Sequence, residues 1–185
     1  MNKRFQFLIA LAAIAVFAAT FGALVVQAQP AERAAPKAAS YEAVLGKSLE
    51  DRDVSDFLAS NRCSSADRFQ LCNAAGMALL IGESQTVETV YLYPGTIPGF
   101  AAYKGTLPLG LAADDTMASV QEKFGQPKVQ HVPQAGWEPG LPDESGTPDH
   151  IHYWAIYKRF GVTVVYNSPS GADQGATIYA VLVSR

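Results

Sequence analysis

Three histidines and two cysteines are the residues of this 185-residue chain best suited to metal or redox chemistry. His150 and His152 stand two apart in "DHIHYW", so on a strand both side chains point to one face. His131 stands at the start of the segment that leads to them. A transition-metal site needs three or four convergent His, Cys or carboxylate ligands. Two strand histidines fall short of that set and more commonly form a solvated or aromatic-packed pair that titrates near neutral pH. A small metal-dependent hydrolase using His131, His150 and His152 stays as an alternative reading. The leading expectation is no metal and no cofactor.

Nucleophilic catalysis requires a Ser, Cys or Thr beside a positioned base. The sequence holds no Gly-x-Ser-x-Gly elbow, no phosphate-cradling glycine loop and no dinucleotide fingerprint. Asp114 and Asp115 are adjacent at a helix start, where carboxylates cap backbone N–H groups rather than act as an acid and base pair. Cys63 and Cys72 lie close together in "NRCSSADRFQLC" without the spacing of a Cys-x-x-Cys redox site. In an oxidising compartment they pair as a disulfide. The chain is therefore expected not to be an enzyme.

Such a compartment is indicated by the opening "MNKRFQFLIALAAIAVFAATFGALVVQAQP". Lys3 and Arg4, a long apolar run and the small residues around Val26-Gln27-Ala28 form an export signal over residues 1–28, or an N-terminal anchor if it is not cut. The expected location is the periplasm or the exterior. Residues 29–40 are Ala- and Pro-rich and read as a flexible leader, which leaves 41–185 as a single domain. Without Lys3 and Arg4 the 14 basic side chains become 12, against 17 acidic ones, a formal charge of −5. That balance argues against nucleic acid as a partner, and against membrane contact beyond the signal or anchor.

Two short helices are expected to support any site. In "LGKSLEDRDVSDFLASN" Ser48 is a candidate N-cap, and Val54, Phe57 and Leu58 share one face. In "LGLAADDTMASVQEKFGQP" Asp114 or Asp115 caps, Met117, Val120 and Phe124 form the apolar stripe, and Gly125 and Pro127 end the helix. Both helices follow a Leu-Gly and precede strand-like sequence, a shared plan without exact register. "GMALLIG" and "TVETVYLY" read as a hairpin, and "HIHYWAIYKRFG", "VTVVYNS" and "ATIYAVLVS" as a three-strand meander. The fold class expected is α+β: a single antiparallel sheet with two short helices on one face, in the order helix, hairpin, helix, meander.

Between the second helix and the meander lies a proline- and glycine-rich stretch, 131–149, carrying Trp137, Glu138, Asp143 and Glu144. A long loop of this kind in an ordered domain commonly serves contact. The meander alternates Ile151, Tyr153, Ala155 and Tyr157 with His152, Trp154, Ile156 and Lys158, and alternation alone leaves open which set faces outward. The candidate partner-binding residues are thus Trp137, Glu138, Asp143, Glu144, Tyr153, Trp154 and Tyr157. Tyr91, Tyr93, Tyr166 and Tyr179 join them as aromatic residues on neighbouring strands.

"YEAVLGKSLEDRDVSDFLA" and "YLYPGTIPGFAAYKGTLPLGLAADDTMASVQEKFGQP", with the closing aromatic strands, resemble a poorly characterised bacterial exported family with immunity-like members. The helix-and-sheet units of that family are similar to those of beta-lactamase inhibitor proteins and of small outer-membrane assembly lipoproteins. This chain departs from the latter in lacking a cysteine anchor, and it adds the Cys63 and Cys72 pair. The export signal is a further departure, since the family pattern does not require one. Taken with that signal and the absence of catalytic motifs, the resemblance leads to the expectation of an exported, non-enzymatic domain that binds a protein partner in the envelope, as an immunity-type inhibitor of a toxin or hydrolase. An envelope assembly or scaffold protein is the alternative it implies.

Overall fold

Asp51 begins the first helix, α1 (Arg52–Ser60), by accepting the Asp53 N–H at 2.9 Å. The cap is Asp51 rather than Ser48, because a carboxylate one residue before the helix reaches the free N–H groups of its first turn. Val54 and Phe57 are buried beneath the helix and Leu58 packs beside them. Each fully buried side chain of this size contributes about 1.5–3 kcal/mol over an exposed one. The second helix, α2 (Met117–Phe124), buries Met117, Val120 and Phe124, the stripe expected from its sequence. Its cap is Thr116, in a reciprocal box with Ser119, and not Asp114 or Asp115. Asp115 instead turns inward and receives the Ala112 N–H at 2.8 Å, the Ser119 hydroxyl at 2.8 Å and the Lys123 ammonium at 2.6 Å. Gly125 closes the helix at φ 77° and ψ −174°, backbone that only glycine adopts without strain.

The computed structural model describes residues 40–131, 152–168 and 170–185. The signal, nearly all of the leader, and Trp137, Glu138, Asp143, Glu144 and His150 lie outside the described residues. Those that are described belong to one compact unit, Pro36–Arg185.

Eight strands form one antiparallel sheet: β1 (Ser64–Ala66), β2 (Phe69–Cys72), β3 (Met77–Ile81), β4 (Val87–Leu92), β5 (Val129–His131), β6 (Tyr153–Tyr157), β7 (Val162–Tyr166) and β8 (Ile178–Ser184). Their order is β1-β2-β3-β4-β8-β7-β6-β5. Each helix is thus followed by a four-strand meander, and the last strands of the two meanders pair at the centre, with Thr89 opposite Ser184 and Leu92 opposite Val181. The expected hairpin is extended by β1 and β2, and the expected three-strand meander by β5. The disulfide stretch "NRCSSADRFQLC" is itself a hairpin, turned at Asp67 with φ 51° and bridged from Cys63 to Cys72.

The two halves repeat in detail. Gly46 (φ 79°) and Gly110 (φ 70°) precede the helices. Single bridges tie the approach to each helix to the start of its last strand, Ser48 to Thr86 and Thr116 to Thr177. A 3-10 turn closed by a left-handed glycine separates the second and third strands of each meander: Asn73–Ala75 with Gly76, and Lys158–Phe160 with Gly161. Each last strand also carries one bulge. Leu80 opposes Thr89 and Ile81 opposes Val87, which leaves Glu88 over; Val165 opposes Ala180 and Tyr166 opposes Ile178, which leaves Tyr179 over. Such concordance is that of a structural duplication, with a first repeat over 41–92 and a second over 108–184.

Candidate functional site

Both helices pack on one side of the sheet, so the sheet has a helix side and an opposite face. On the helix side Leu79, Val90, Val164 and Val181 meet Val54, Phe57, Met117 and Val120 in the main core. Alternation along the same strands sends Ala78, Tyr91, Val165 and Leu182 to the opposite face, where no helix covers them among the described residues.

An aromatic band crosses this face. Phe69 on β2 meets Tyr91 edge-on with ring centroids 5.9 Å apart. Tyr93 lies against Phe100 at 4.7 Å and against Tyr179 at 6.1 Å. Tyr179 in turn stacks on His152 at 3.8 Å. The bulge in β8 makes this possible: Tyr179 and Ala180 are consecutive, yet both pack on the opposite face. Trp154 lines a shallow depression with Tyr91, Tyr93, Val165 and Leu182. Tyr91 and Tyr93 are buried floor, whereas Phe69, Trp154, Ile156, Thr163 and Tyr179 are half-buried and form the surface of the band.

Two expected contact residues belong elsewhere. Tyr153 and Tyr157 point to the helix side, where they retain 5% and 3% of their exposure, so a partner on the opposite face does not reach them. Of the three expected contacts in β6, Trp154 is the one on the opposite face. Tyr166 is fully buried with Tyr153 and Tyr157, and the hydroxyls of all three lack a hydrogen-bond partner among the described residues. Burial pushes all three phenols above their ordinary value, Tyr166 most strongly because it is the most deeply buried, with the neighbouring Tyr157 adding to the effect. The Tyr157 and Tyr166 hydroxyls are near enough to affect each other's ionisation.

Of the three histidines, the side chain of His152 is the one described, and His150 lies outside the described residues. His152 is buried, stacked on Tyr179, and its Nδ1 lies 3.2 Å from the Tyr166 carbonyl, to which it donates. The His131 backbone pairs with Trp154 across β5 and β6. No group of three His, Cys, Asp or Glu suited to a metal occurs among the described residues.

Phe69 and Leu71 belong to the opposite face but escape a reading of the sequence, because "SSADRFQLC" is polar and its two-residue turn contains no glycine. The alternation in "FQLC" was the available signal. Compared with known proteins, the chain matches no family model, no curated protein and no solved structure.

Proposed function

We propose that the chain is an exported, non-enzymatic binding domain that docks a protein partner on the opposite face of its sheet, as an immunity-type inhibitor of a toxin or hydrolase in the cell envelope. The observation that carries this reading is the aromatic band running over β2, β4, β8 and β6, with half-buried Phe69, Trp154 and Tyr179. Tyr and Trp dominate binding energy when a partner desolvates them, and a half-covered antiparallel sheet has a face to offer. The export-type N-terminus supports the compartment. The net acidity favours a basic partner surface, as in a cleft that handles an anionic substrate.

Thr163 is half-buried in the middle of this face, opposite Ile156 and Leu182. Thr163→Arg puts an unpaired charge into the interface and is expected to weaken partner binding by at least about 2 kcal/mol. Ala59→Arg, on the exposed side of α1, is expected to bind as the parent does. The measurement is affinity capture from envelope and secreted fractions, followed by titration of the purified partner's own activity. A partner lost with Thr163→Arg, kept with Ala59→Arg and silenced by the parent protein supports inhibition. Resident envelope proteins held equally by both variants would transfer the chain to the assembly reading.

A further inference from the structure

A hollow of about 650 Å³ opens at the C-terminal end of α1, away from the aromatic face. Ala74, Ala75 and Met77 line it, and Arg62, Lys104 and Glu42 stand at its edge. Neither cation has a hydrogen-bonding or ion-pair partner among the described residues, whereas the Glu42 carboxylate takes the Ser40 hydroxyl. One wall, Ala74, Ala75, Met77 and Ala102, is apolar, the rest includes the polar Ser60, Asn61 and Thr106, and the two cations outnumber the one carboxylate.

Comparison with the second repeat explains why the hollow exists. The equivalent place, at the end of α2, is a smaller cleft of about 370 Å³. There the 3-10 turn is Lys158-Arg159-Phe160, and Arg159 donates to the Phe124 carbonyl at 2.6 Å with its guanidinium 4.4 Å over the Phe160 ring. Phe160 also packs on Phe124, with ring centroids 5.3 Å apart. In the first repeat the turn is Asn73-Ala74-Ala75, so methyl groups stand where the second repeat has a guanidinium and a benzene ring.

Arg62 supplies the second observation. Helix α1 ends with the Arg62 N–H on the Ala59 carbonyl at 3.2 Å and the Cys63 N–H on the Leu58 carbonyl at 3.0 Å, the double bond pattern that puts the residue after the cap in left-handed backbone. Arg62 has φ 52°, at a position where glycine is the usual choice and a side chain costs on the order of 1 kcal/mol. Asp67, Gln85 and Leu109 share this backbone, and Arg62 differs from them in presenting a cation at the mouth of a cavity.

We propose that this hollow binds a small amphipathic organic anion, its acid group held by Arg62 and Lys104 and its apolar body lying on Ala74, Ala75 and Met77. The volume falls in the range of small-molecule sites, and an apolar wall beside a few polar and charged groups suits a ligand with an apolar body and one acid group. The site is independent of the protein-docking face, so either proposal can fail without the other.

The test is fluorescence titration of the disulfide-intact protein with 1-anilinonaphthalene-8-sulfonate, with decanoate and inorganic phosphate as competitors. One saturable site is expected, displaced by decanoate and not by phosphate. Arg62→Gly relieves the left-handed backbone, so its melting temperature is expected to hold or rise while affinity for the probe falls at least fivefold. Ala75→Phe copies the second repeat and is expected to abolish the saturable site without loss of stability. Equal binding by the parent and both variants, or displacement by phosphate as effective as by decanoate, overturns the proposal.

Discussion

In the first repeat a covalent bond fastens the outer hairpin to the helix: Cys63 directly follows the end of α1 and Cys72 ends β2. In the second repeat the outer strand β5 has no such tie, and the approach to α2 is held instead by the buried carboxylate of Asp115, which gathers Ala112, Ser119 and Lys123. One topology is thus secured by a covalent staple in one half and by polar contacts in the other. The difference teaches that the duplicated plan fixes topology and leaves the means of stabilisation free to diverge. It also leaves room for divergence of function, since Ala74 and Ala75 open a hollow where Arg159 and Phe160 close one.

The sharpest way to break this comparison is to remove the staple. The bridge spans a sequence separation of 9, and closing so short a loop contributes about 2.5–3 kcal/mol in the chain-entropy picture. Replacing Cys63 and Cys72 together by alanine is expected to lower the unfolding free energy by about that amount. In hydrogen exchange, the loss of protection is expected to be greatest in β1 and β2. A loss spread evenly over both repeats would mean that the bridge acts on the whole sheet rather than on its own half.

The second repeat answers to pH where the first answers to reductant. Burial raises the Asp115 carboxyl, but hydrogen bonds from Lys123, the Ala112 N–H and Ser119 outweigh it and hold the group below the usual carboxylate range. A depressed folded value contributes stability that is complete above the unfolded value of about 3.9 and is lost as pH falls through the folded one. Asp115→Ala deletes three hydrogen bonds and leaves the partly exposed Lys123 ammonium its 3.4 Å bond to the Gly110 carbonyl, a cost of about 2 kcal/mol at neutral pH. The stability gap between parent and variant is expected to narrow below about pH 4. A gap that stays constant down to pH 2 in chemical denaturation would remove Asp115 from the acid response.

Both helices and the central strands were legible from the sequence because their patterns are long and one-sided. Met117, Val120 and Phe124 could form a stripe only on a helix, and "VTVVY" has the β-branched density of a buried strand. β1 and β5 were not legible: each has three residues, too few to show a period, and both edges of the sheet are short in this way. The caps were misread for a different reason, since "DDTMAS" offers Asp114, Asp115 and Thr116 in a row and burial decides among them. The candidate face was half legible. The two alternating sets of β6 are both aromatic, so the sequence separates Tyr153 and Tyr157 from Trp154 without telling which set lies under the helices.

The smallest expected effect follows from that arrangement. Tyr153, Tyr157 and Tyr166 place three phenol hydroxyls without partners in the second repeat's core, whereas the corresponding surface of the first repeat is lined by aliphatic side chains such as Met77, Leu79 and Leu92. A buried hydroxyl that makes no hydrogen bond costs about 1 kcal/mol or more, so Tyr166→Phe, which keeps the ring and removes only the oxygen, is expected to stabilise the protein by about 1 kcal/mol. The alkaline limb gives an independent check. Because burial raises the folded phenol above its unfolded value of about 10, its contribution is complete below that pH and is lost as pH rises through the folded value. Alkaline unfolding of the parent should therefore begin near pH 10, with tyrosinate absorbance appearing together with loss of structure, and Tyr166→Phe should shift that limb upward. If Tyr166→Phe instead destabilises the protein, its hydroxyl is bonded, to Tyr157 or to ordered water, and the second repeat contains a buried polar network that the first lacks.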